Sequence, residues 1–138
     1  MTTKPPLLHR MRRHLAVVCS IVWVAAFVTT HLPGGAVPRV GVKDTTLHFV
    51  GYFVIALLFL LTLSARGVPR LRRAVLVFCT MAAYGAIDEI TQPLVRRSTD
   101  IRDWIADVAG TAVAIMVCES LSAIVGRRRR KAPTGAEL

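Results

Sequence analysis

Ten residues in this chain carry the chemistry on offer: Asp44, His48, Tyr52, Glu89, Gln92, Arg96, Arg97, Asp100, Asp103 and Asp107. Carboxylates beside an imidazole are the groups that ligate a divalent metal or act as general acid and base. Arginine forks match phosphate oxygens. All ten sit at the borders of strongly apolar runs, where an ionisable group is costly and usually persists because it has a function.

The spacing gives these residues a direction. Asp44, His48 and Tyr52 follow at i, i+4, i+8 and stack on one helical face if their helix begins before Leu47. Asp100, Asp103 and Asp107 follow at i, i+3, i+7, and Gly110 continues the stripe if that helix begins early, near Thr99. Glu89 and Gln92 share a third face. Asp88 and Glu89 are adjacent and point about 100° apart on a helix, so one of them at most is expected to face a common centre, and spacing favours Glu89. Two readings stand side by side. In one, Arg96, Arg97 and Arg102 pair with Asp100, Asp103 and Glu89 and tie helices together; in the other, the cluster is a site for a polar head group or a metal ion.

The elements that must position these residues are helices in a membrane. The chain has 138 residues, enough for one domain, and 54% are hydrophobic. With a mean hydropathy of +0.53 it is too apolar for an ordinary soluble protein. Four stretches, 15–32, 47–65, 74–92 and 104–125, approach the roughly 20 helical residues that cross a hydrocarbon core. Short connections make adjacent helices antiparallel, so the expected fold is an all-α, integral membrane four-helix up-down bundle. It occupies 15–125, between a basic leader at 1–14 and a basic tail at 126–138. The leader resembles a signal n-region, but no small-x-small cleavage site follows, which favours an uncleaved first helix. Pro33-Gly34-Gly35, Pro69 and Pro93 mark helix boundaries. Ala106, Ala109, Gly110, Ala112 and Ala114 predict a close-packing face on the last span. Cys19, Cys79 and Cys118 have no metal-like spacing and are expected to pack as small residues.

The net charge of +10 does not indicate nucleic acid, because the positive charges alternate by loop. Lys4, Arg10, Arg12 and Arg13 precede the first span, Arg66, Arg70, Arg72 and Arg73 lie between the second and third, and Arg127 to Lys131 follow the fourth. By the positive-inside rule both termini are cytoplasmic, in the inner (cytoplasmic) membrane of a cell, as a multi-pass protein. The tail cluster then meets anionic lipid at the cytoplasmic face. Six of the eight acids gather at the opposite, outer end, a regularity the charge rule did not impose. His31 and Trp104 are expected at the interfaces.

Three blocks, Asp44-x3-His48-x3-Tyr52, Glu89-x2-Gln92 and Arg97-x2-Asp100-x2-Asp103-x3-Asp107-x2-Gly110, resemble the VanZ-like family of small bacterial membrane proteins. The resemblance covers roughly residues 44–110. It departs where the family has Lys and this chain has Thr45, where Asp107 replaces Asn, and where Arg96 replaces a Gly. The resemblance implies a bacterial envelope protein linked to glycopeptide (teicoplanin) resistance. The expected function is binding of a lipid or lipid-linked cell-wall precursor at the outer polar site, without catalysis and with no cofactor required. The alternatives are a membrane-embedded enzyme acting on a lipid head group with a divalent metal, or a purely structural membrane protein. Oligomerisation is left open.

Overall fold

The structure, a computed structural model, describes residues 11–32 and 41–131. Four helices are present: α1 (Arg12–Thr30), α2 (Asp44–Ala65), α3 (Arg70–Thr91) and α4 (Ile101–Lys131). A 3-10 turn, Gln92–Val95, follows α3 directly. Each helix contains a segment long and apolar enough to cross a bilayer, as expected, and the chain is a multi-pass membrane protein. The leader up to residue 10, the Pro33-Gly34-Gly35 turn and the tail from residue 132 lie outside the described residues.

Local chemistry sets the helix ends. α2 begins at Asp44, whose carboxylate suits the positive end of the helix dipole. It stops at a paired cap: Gly67 has φ of 78°, its N–H donates to Ser64 O and the Val68 N–H donates to Leu63 O, both at 3.0 Å. Pro93 ends α3 as predicted, and Arg96 closes the following turn in the same way. Its φ is 59°, with Arg96 N donating to Pro93 O and Arg97 N to Gln92 O, each at 3.2 Å. This is a left-handed position that glycine fills without strain, which explains what a Gly there would do and why Arg96 is the less comfortable residue.

α2 is the central helix and packs against all three others, whereas α1 rests mainly on α2. Ile55, Ala56 and Leu60 of α2 meet Val77 and Met81 of α3 and Ala114 of α4 in the buried core. Trp23 joins α1 to it by edge-on contacts with Phe59 and Tyr84, at centroid distances of 5.6 and 5.3 Å. The packing face of α4 is small but narrower than predicted: Ala106, Gly110, Ala114 and Cys118 are buried, and Ala109 is exposed. At Gly110 an added Cβ would collide with the Phe49 carbonyl oxygen, so glycine sets the α2–α4 approach. The outward faces carry large apolar residues such as Ile21, Val24, Ile87, Ile90 and Met116, the surface a bilayer solvates.

Several sequence expectations are corrected here. Arg70, Arg72 and Arg73 belong to the first turn of α3, not to a loop. Arg73 is buried, where its Nε and Nη2 donate to Glu119 at 2.7 and 3.0 Å and its Nη1 donates to Ser64 Oγ at 3.1 Å. Cys79 is exposed and does not pack in the core. Trp104, in the first turn of α4 where an interfacial residue is expected, is half-buried and donates its indole N–H to Ala82 O at 3.1 Å.

Candidate functional site

The three predicted polar faces converge at one end of the bundle. α2 does begin before Leu47, so Asp44, His48 and Tyr52 line one face, with Asp44 exposed at the rim and the other two buried. α4 begins at Ile101, and Asp103, Asp107 and Thr111 descend along its inner side. α3 contributes Asp88 and Glu89, and the turn after it contributes Gln92; all three are buried.

The carboxylates are held by specific donors. His48 Nδ1 lies 3.0 Å from Asp107 Oδ1. Thr45 Oγ1 donates to Asp103 Oδ1 at 2.6 Å. Glu89 receives the Gln92 amide on Oε1 at 3.0 Å and the Asp100 backbone N–H on Oε2 at 2.9 Å. Thr30 Oγ1 donates to Asp88 Oδ1 at 2.7 Å. His31 stands beside it, with Nδ1 at 3.5 Å from Asp88 Oδ1 and Nε2 at 2.9 Å from Thr91 Oγ1.

The expectation that only one of Asp88 and Glu89 faces the centre is not met, since a carboxylate oxygen of each lies within 4.8 Å of a His48 ring nitrogen. Their divergence is accommodated because the C-terminal end of α3 lies between neighbours: Asp88 meets the end of α1, and Glu89 meets the start of α4. Thr30, Thr45 and Thr111 carry no signal in the sequence as members of this end of the bundle, and His31, expected at an interface, joins them beside Asp88. A lone threonine in an apolar run carries no signal of its own, although Asp88 stood in the polar string.

The predicted arginine pairing is also replaced. Arg97 donates to Asp44 Oδ2 at 2.7 Å and to Thr30 O at 3.1 Å, linking the start of α2, the end of α1 and the turn after α3. Arg96 is exposed, and its side chain makes no hydrogen bond or ion pair among the described residues. Asp100 is the N-cap of α4, where its Oδ1 accepts the Arg102 N–H at 2.9 Å.

Two properties define the result. Four buried carboxylates, Asp88, Glu89, Asp103 and Asp107, share this end with one buried side chain able to carry positive charge, His48. Asp107 Oδ2, Tyr52 Oη and Thr111 Oγ1 are buried with no hydrogen-bond partner among the described residues. Beside them, between α1 and α2, is a cavity of about 220 Å³. Ala26, Leu47, Gly51 and Ile55 form its apolar wall, and Thr30, Asp44, His48 and Arg97 form its polar end.

A four-span helical membrane protein with an acid-rich buried site at one end is the class these features define. Residues 14–122 match the VanZ/LLP1 family, and the chain belongs to that family. No curated protein and no solved structure matches the chain.

Proposed function

We propose that the protein binds a lipid or lipid-linked cell-wall precursor at the outer face of the inner membrane, with the head group at the Arg97 rim and the hydrocarbon chain in the α1–α2 cavity. The observation that carries this reading is the cavity itself, whose apolar wall runs into a polar end holding a guanidinium. Its volume of about 220 Å³ is several times the roughly 30 Å³ share of one water. Arg97 is half-engaged by Asp44, and Arg96 is free to meet a phosphate oxygen from the solvent side. The outer placement rests on the distribution of Lys and Arg along the chain. Glycopeptide resistance follows if the bound lipid is a wall precursor.

The test uses the full-length protein in detergent, with a polyprenyl phosphate and phosphatidylglycerol as alternative probes in native mass spectrometry. Gly51 lines the cavity and an added Cβ there meets nothing within 4 Å, so Gly51→Leu is the variant chosen to occupy it. Gly51→Leu and Arg97→Ala are each expected to lower lipid occupancy by about tenfold, the equivalent of about 1.4 kcal/mol. Binding equal to wild type in both variants refutes the site and leaves the structural alternative. A deletion strain complemented with the same variants, and profiled against teicoplanin, tests the resistance link.

A further inference from the structure

We infer that His48, Asp88 and Glu89 bind a divalent first-row transition-metal ion inside the bundle, with Asp107 orienting the imidazole. A ring nitrogen of His48 and carboxylate oxygens of Asp88 and Glu89 lie within 4.8 Å of one another, and all three residues are buried. Ligands bonded to a shared ion at about 2.1 Å are at most about 4.2 Å apart, so a small contraction closes the site.

Charge is the first reason. Four carboxylates withdrawn from water at one end of a membrane bundle share it with the imidazoles of His48 and, 3.5 Å from Asp88, His31, while Arg97 is committed to Asp44; ionised, they lack a full complement of positive charge, which is strongly unfavourable for buried groups. A divalent cation supplies the missing charge where the ligands already converge.

The second reason is the unused polar atoms. The Tyr52 hydroxyl is buried and has no hydrogen-bond partner among the described residues. Asp107, fully buried, leaves Oδ2 unpartnered while Oδ1 holds His48. A carboxylate behind a histidine is the arrangement that fixes the ring and raises its basicity toward a metal, and a His48 that donates from Nδ1 to Asp107 would offer Nε2 to the ion. Thr30 on Asp88 and Gln92 on Glu89 support the carboxylates in the same manner. Asp88 Oδ2 has only a 3.5 Å contact with Gln92 and is the least committed oxygen in the set.

The donor set selects the ion. One imidazole with two carboxylates suits zinc, manganese, iron or cobalt better than magnesium or calcium, which favour oxygen alone. Three protein ligands leave a coordination position for water or for an oxygen of a bound head group. A second set, Asp44, His48 and Asp103, shares the histidine. Its Asp44 is exposed and already ion-paired to Arg97, whereas every member of the deeper set is buried, which makes the deeper set the stronger site.

Full-length protein purified without chelator is assayed by elemental analysis, then reloaded with Zn²⁺ and, as spectroscopic probes, Co²⁺ and Mn²⁺. Roughly one ion per chain is expected, with imidazole nitrogen coupling to Mn²⁺ in pulsed electron paramagnetic resonance. Asp88→Asn and Glu89→Gln should abolish uptake, Asp107→Asn should weaken it by about 10- to 100-fold, and Asp44→Asn should leave it unchanged. Wild-type protein that takes up no ion, or binds one without nitrogen coupling, overturns the inference whatever the variants do. Uptake lost in Asp44→Asn but kept in Asp88→Asn overturns the assignment of ligands. Lipid binding is measured in parallel on chelator-treated protein: if it persists while no metal binds, only the metal site fails.

Discussion

His48 of α2 and Asp107 of α4 face each other at 3.0 Å between Nδ1 and Oδ1, both buried, at the end of the bundle where three helices bring their acids together. Beside the pair, Gly85 leaves space for the second oxygen: an added Cβ there would stand 2.8 Å from Asp107 Oδ2. The pair couples the two helices that define the site.

That coupling is measurable. In reversible unfolding of the detergent-solubilised protein, His48→Gln and Asp107→Asn should each destabilise, and the double variant should differ from their sum by about 0.5–3 kcal/mol. Additive effects would mean that the pair contributes no interaction to stability.

Gly110 and Gly126 make a matched comparison on α4. A methyl at Gly110 strikes the Phe49 carbonyl, whereas one at Gly126 meets nothing within 4 Å. Gly110→Ala should destabilise by about 1–3 kcal/mol through forced separation of α2 and α4. Gly126→Ala should be neutral or slightly stabilising, since alanine favours a helix by roughly 0.5–1 kcal/mol. Equal effects on the unfolding midpoint would contradict this account of the helix contact.

Arg96→Gly should stabilise the protein by about 1 kcal/mol, because the left-handed backbone there disfavours any side chain. The same unfolding assay reads this. If Arg96 contributes to lipid phosphate binding as proposed, lipid occupancy falls while stability rises, and those opposite signs separate the two roles.

At the other end of the bundle, Glu119 holds buried Arg73, and Arg70, half exposed, donates to both its carboxylate and its backbone carbonyl. Glu119→Leu should destabilise by about 3–5 kcal/mol because it strands the buried guanidinium. Arg70→Ala should cost less, since its side chain is 52% exposed and solvent screens the pair. The reverse ranking of unfolding midpoints would refute the buried ion pair.

Orientation is tested by single cysteines in a background with the native three replaced. Arg96→Cys should react with an impermeant maleimide added outside intact cells, and Arg66→Cys only after the membrane is opened. Labelling with the opposite sidedness would invert the proposed topology.

The helical membrane architecture was legible in the chain because length and apolar composition suffice for a bilayer span, whatever the helices touch. Helix faces were legible for the same kind of reason: Asp44, His48 and Tyr52, or Asp103 and Asp107, follow from a period that needs no partner. Which acid meets which donor was not. Arg97 chooses Asp44, 53 residues away, and Thr30 chooses Asp88, 58 residues away, because helix packing brings those ends together. Asp88 sits beside Glu89 in the site with its carboxylate held by Thr30 of α1, a consequence of packing that no spacing encodes. The sequence by itself determined that acids, a histidine and arginines would gather at one end of four helices. Tertiary structure decided which of them are buried, which oxygens are left unpartnered and where a cavity opens, because burial and hydrogen bonding depend on neighbours distant in the chain.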